Sequence, residues 1–119
     1  MTEMMPEERR QEPRVKAAYQ ILYECFLRDT KVSEGAAQTV NLSEHGALIE
    51  MAQEIDLDAS LILWIMAPFY TLLVKGNVVH ARREANGLFH VGVKLTDVIE
   101  GNWQVLKKDL EAHAAEPIP

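Results

Sequence analysis

From residue 19 to residue 27 the chain alternates. Tyr19, Ile21, Tyr23, Cys25 and Leu27 fall on one side, with Gln20, Glu24 and Arg28 on the other. This period of two predicts a half-buried strand. Polar residues 29–35 predict a turn region. Two further strands are expected over 37–42 and 47–51, with a polar turn at 43–46 between them, followed by a loop on an acidic surface at 53–59. Residues 60–66 form a short, strongly apolar strand that stops at Ala67-Pro68. A longer strand, rich in Val and Leu, is expected over 71–83, and Gly76 inside it marks a bulge or a close backbone approach. Asn86-Gly87 is a hairpin signal, and 88–95 returns as the last strand.

The period then changes. Thr96 is a candidate helix cap with Asp97 in the first turn. Val98, Ile99, Trp103, Leu106 and Leu110 follow at helical spacing, with Lys107 and Lys108 toward the C-terminal end. Residues 116–119 contain two prolines and cannot continue that helix. At the other end, residues 1–14 hold two prolines and no apolar periodicity, which predicts a flexible leader. The expected organisation is a leader over 1–14, a body of about six strands and one helix over 15–113, and a disordered tail over 114–119. Short strands with regular turn signals predict a mainly β fold, a small closed or nearly closed barrel whose opening or edge the helix covers.

Composition adds boundaries to this picture. A chain of 119 residues is the size of one domain. Its single cysteine, Cys25, has no partner for an internal disulfide. Residues 1–14 lack the apolar centre of a signal peptide, and the apolar run over 61–73 is broken by Pro68 and too short to cross a bilayer. The expectation is a soluble cytoplasmic protein without membrane insertion. A net charge of −6 argues against binding a nucleic acid polymer, which needs many cations against its phosphates. It leaves room for one small anionic ligand. The cations are concentrated: Arg9, Arg10, Arg14 and Lys16 lie within eight residues, and Arg82 and Arg83 form a smaller group.

Two segments carry candidate chemistry. Arg10 and Arg14 form Arg-x-x-x-Arg, and Asn41-Leu42-Ser43-Glu44-His45-Gly46 has the form Asn-x-Ser-x-x-Gly. Each alone has an ordinary explanation. The arginines fit a solvated charged leader, and the second segment fits a polar turn in which Asn and Ser bond the nearby backbone and Gly supplies a positive φ. Together and in this order they resemble the PilZ family, whose pattern sets Arg-x-x-x-Arg before the first barrel strand and Asp/Asn-x-Ser-x-x-Gly at the turn between the second and third. Gly76-Asn77-Val78-Val79 and Val91-Gly92-Val93-Lys94-Leu95 look like that family's closing strand pair, so the resemblance runs from Glu8 to about Leu110.

The resemblance implies a six-stranded antiparallel barrel with a C-terminal helix, and cyclic di-GMP as ligand. It implies ligand-binding roles for Arg10, Arg14, Asn41, Ser43 and Gly46, with the arginines folding over the ligand from the leader. The chemistry of these residue types agrees. Arginine can bond phosphate oxygens, fork onto the O6 and N7 acceptors of guanine, or stack on the purine face. Asn41 and Ser43 offer an amide and a hydroxyl, and Gly46 leaves room for a tight turn. In the family, arginine at the position before the motif goes with an intercalated pair of ligand molecules, so Arg9 is expected to support two.

Other residues yield less. His45, His80, His90 and His113 show no ligand spacing for a metal, although His45 lies inside the second motif. Ser43 has no nucleophile-elbow context, and no phosphate loop is present. Trp64 and Trp103 read as packing residues, and Arg82 and Arg83 as a charged strand end. The expectation is a receptor without catalysis and without a cofactor, acting on an unidentified effector protein. Motility, exopolysaccharide and biofilm outputs are all open. Two alternatives remain: a ligand-independent adaptor of pilus or secretion machinery, and a small nucleotide hydrolase.

Overall fold

The computed structural model describes residues 15, 16 and 18–115. Seven strands and one helix follow in the order β1 (Val15–Lys16), β2 (Gln20–Leu27), β3 (Thr30–Ser43), β4 (Gly46–Met51), β5 (Ser60–Ala67), β6 (Tyr70–Arg83), β7 (Phe89–Glu100) and α1 (Trp103–Ala115). All pairings are antiparallel. Six strands run β3–β2–β5–β6–β7–β4, and pairing of β4 with β3 closes them into a barrel-like ring. The short β1 lies along the edge of β3 beyond the start of β2. The gap between β1 and β2 is spanned at Tyr19, whose carbonyl accepts from Thr39 N (3.0 Å) and whose N–H donates to Thr39 Oγ1 (2.8 Å).

The alternation of β2 is realised as expected: Ile21, Tyr23 and Cys25 point inward. Every other strand of the ring adds to the same core, with Leu42, Ile49, Leu61, Leu63, Ile65, Leu72, Val74 and Val91 almost fully enclosed. Burying such side chains contributes roughly 1.5–3 kcal/mol each before the entropy of ordering is subtracted. Trp103, Leu106 and Leu110 of α1 are also buried, and the helix lies against β1 and β6. The loop at 52–59 is not wholly superficial, because Ile55 and Ala59 tuck into the core.

Three boundaries differ from the sequence expectation. The turn region at 29–35 shrinks to Arg28 and Asp29, both with positive φ (51° and 68°), and Leu27 pairs directly with Thr30. This is the two-residue hairpin geometry whose twist matches paired strands. The helix does not start after Thr96. Residues 96–100 continue β7 against β6, with Val74 opposite Val98 and Leu73 opposite Glu100, so Val98 and Ile99 stay about half exposed. The cap is Asn102, whose Oδ1 accepts from Gln104 N at 2.8 Å. At the far end the helix runs through Ala115, beyond the expected limit of 113, and residues 116–119 lie outside the described residues.

Candidate ligand-binding site

The second motif sits on the β3–β4 hairpin, and a bulge decides where it faces. Thr39 pairs with Ile49 and Asn41 with Leu48, which leaves Val40 as an extra residue. Before it, odd-numbered residues such as Thr39 point inward; after it, Leu42 does. An extra residue in one strand reverses the facing of everything beyond it. Asn41 and Ser43 thereby share the side of β3 opposite Leu42, with Asn41 half-buried and Ser43 buried at 5% exposure. Ser43 pairs with Gly46 across the tight turn, and its hydroxyl donates to the Gly46 carbonyl at 3.3 Å. The turn is tied down from β7, where Leu95 N donates to the His45 carbonyl at 3.0 Å. Asn41, Ser43 and Gly46 are therefore brought together, as the sequence anticipates.

A groove of about 450 Å³ opens beside them on the outer wall, bordered by Asn41, His45, Gly46 and Leu48, by Gly92 and Lys94 of β7, and by Val79 and His80 of β6. That volume is within the range of small-ligand sites, roughly 300–1,000 Å³. Lys94 pairs with Gly46, so its side chain stands on the outer face next to the motif turn. The alternation of Val91, Val93 and Leu95 inward with Gly92 and Lys94 outward was the sequence signal for it. His80 carried no such signal, because a second bulge, at Val79, reverses β6 between Val78 and His80. His45 also borders the groove.

Arg9, Arg10 and Arg14 lie outside the described residues. The pairing of β1 bears on them nonetheless. Lys16 pairs with Asn41, and Val15, the residue that Arg14 directly precedes, pairs with Leu42 between Asn41 and Ser43. The other cationic group is occupied: Arg82 Nε bonds Glu84 Oε2 at 2.8 Å, and Arg83 stacks over the Phe89 ring at 5.8 Å. The Glu84 carboxyl is held below its usual range mainly by that Arg82 hydrogen bond. His90 sits between two carboxylates, 3.1 Å from Glu50 and 3.6 Å from Glu84. Among the described residues no group of three or more His, Cys, Asp or Glu is arranged to hold a metal ion. No helix among them is long and apolar enough to cross a membrane.

The strand pair expected from the sequence is present, with Gly76 opposite Leu95, Asn77 opposite Lys94 and Val78 opposite Val93. Gly76 combines both expectations for it. The register shifts between Lys75 and Gly76, and a Cβ there would lie 2.6 Å from the Lys94 carbonyl oxygen and from Val93 Cγ1.

Comparison with known proteins agrees with this architecture. The family model for the PilZ domain matches residues 8–112. Among solved structures, the chain is similar to the Bacillus subtilis inhibitor of motility (MotI/DgrA), with a TM-score of 0.71 and 17% sequence identity. The match covers 89% of this chain and 51% of that one, so this chain spans about half the length of that structure. No curated protein matches the sequence.

Proposed function

The chain belongs to the PilZ domain family, whose members are cyclic di-GMP-binding receptors and adaptors, and from that premise we propose that it binds cyclic di-GMP in the outer groove. Asn41 and Ser43 receive the ligand on the wall, Gly46 gives it room, Lys94 adds a cation, and Arg10 and Arg14 close over it. The observation that carries this reading is the pairing of Val15 and Lys16 with Leu42 and Asn41. It brings the point where the arginine segment joins the barrel to the strand bearing the other half of the motif.

The groove suits an anionic purine ligand. Arginine meets phosphate oxygens or the guanine O6/N7 edge with a rigid planar fork of two hydrogen bonds, a geometry that the flexible point charge of lysine does not fix in advance. Arg9 extends the cationic segment and supports a ligand pair. No catalytic step and no cofactor are part of the proposal. Engagement of residues 1–14 by the ligand would change the surface offered to a partner protein in the cytoplasm, with motility, exopolysaccharide or biofilm formation as the output.

Isothermal titration tests this directly. The wild type is expected to bind cyclic di-GMP, and Arg14→Ala to lose binding while its melting temperature is unchanged. Absence of wild-type binding at tens of micromolar ligand, roughly −6 kcal/mol, would instead favour a ligand-independent adaptor. A ratio of one ligand per protomer would refute the role given to Arg9.

A further inference from the structure

One cross-strand row traverses the groove: Asn41 on β3 pairs with Leu48 on β4, Leu48 with Gly92 on β7, and Gly92 with His80 on β6. At the usual strand spacing its ends are roughly 14 Å apart. Asn41 is a motif residue at one end. His80, at the other, belongs to no motif.

The geometry of His80 is specific. A Cβ built on Gly92 would meet the imidazole at Nε2, with both ring neighbours of that atom close to equidistant, Cδ2 at 2.6 Å and Cε1 at 2.7 Å. An approach along the ring plane would leave those two carbons well over 3 Å away, roughly a ring bond beyond Nε2. The Cβ direction therefore meets the face of the ring. The imidazole lies flat on the sheet over Gly92, with its opposite face turned outward, and His80 is exposed while Gly92 is buried. Gly92 is not among the positive-φ glycines, which are Gly87 and Gly101. What glycine supplies at 92 is room for the ring. The bulge at Val79 completes the arrangement, since regular alternation from Val78 would have aimed His80 into the core.

We propose that His80, laid flat over Gly92, is a stacking platform for a guanine base at the end of the groove remote from Asn41. The inference rests on the cyclic di-GMP reading and extends it to a residue outside both motifs. Aromatic side chains, histidine included, hold unpaired bases by face-to-face contact. A platform held by the backbone beneath it loses little freedom when the base arrives.

Titration calorimetry with cyclic di-GMP on the wild type, His80→Ala, His80→Phe, Gly92→Ala and Arg14→Ala tests this, with melting temperatures as the folding check. His80→Ala is expected to weaken binding about 10-fold, within the usual worth of one base–aromatic stack. His80→Phe, which keeps a flat ring, should stay within about 3-fold of the wild type, and Gly92→Ala should weaken binding by displacing the ring. In the wild type, the His80 Cε1 proton resonance should move upfield on saturation as a purine covers it. Unchanged affinity in His80→Ala, equal losses in His80→Phe and His80→Ala, or a resonance that does not move would each overturn the platform. If Arg14→Ala abolishes binding and His80→Ala does not change it, this inference fails and the ligand assignment stands. If the wild type does not bind, both fail.

Discussion

Tyr19 shows how one side chain can hold two parts of this barrel together. It is 4% exposed, its backbone joins Thr39 on β3, and its hydroxyl donates to Asp109 of α1. Burial first, then that hydrogen bond and the charge of Asp109, raise the hydroxyl's pKa far above the ordinary tyrosine value. A group that holds its proton more tightly when folded adds stability that is complete below its unfolded pKa, about 10 for tyrosine. As pH rises past that point the unfolded chain releases the proton and the folded one retains it, so stability falls until the folded pKa is passed. Tyr19→Phe should therefore cost about 1.5–3 kcal/mol near neutral pH, the typical worth of a hydrogen bond to a charged group. The gap to the wild type should narrow above pH of about 10. Urea titrations at pH 7 and above pH 10 measure it; a gap that widens with pH would contradict the assignment.

At the scale of elements, alternation was legible wherever one face of a strand meets the core and register is regular. That is why β2, β4 and β5 were found within a residue or two. The first half of β3 was not, because its residues are exposed or half-exposed on both faces and leave no apolar period to read. The two bulges were also hidden. Val40 and Val79 are ordinary strand residues, and only the pairing across the sheet reveals that each is extra. Those bulges nevertheless decide that Asn41 and His80 border the groove. The motif's chemistry was thus readable, and the residue three strands away was not. The misassigned helix start has a different cause. Val98 and Ile99 fall at helical spacing, yet Thr, Val and Ile are β-branched residues that suit a strand better. The two assignments predict different mutants. Asn102→Ala, which removes the observed cap, should lower stability by about 1 kcal/mol. Thr96→Ala should cost less, since Thr96 Oγ1 makes only exposed contacts to the Lys75 carbonyl and Asp97. Thermal melts of the two variants compare them; a larger loss for Thr96→Ala would restore the earlier start.

Across the whole molecule, the motif turn already borders α1, since Glu44 and His45 line a pocket with Trp103, and β1 supplies a second link. It pairs with the strand that carries Asn41 and lies against α1. A closed antiparallel ring with a packed core resists distortion, so a change at the groove has little prospect of passing through the barrel itself. The short route is along the outside. Residues 15 and 16 form a two-residue strand paired to β3 with the helix beside it, and so short a strand is readily restrained or released. If Arg10 and Arg14 engage the ligand, the restraint falls first on β1 and then on its neighbour α1, where Tyr19 and Asp109 already tie helix to barrel. The expected consequence is slower amide exchange in β1 and along α1 when cyclic di-GMP is added, beyond the protection of the β3–β4 hairpin itself. Arg14→Ala with ligand should show neither change. Hydrogen exchange read by mass spectrometry distinguishes the outcomes. Protection restricted to the groove strands, with α1 exchanging as in the unliganded protein, would mean that the helix does not respond to the ligand and that any partner reads the groove or the arginine segment instead.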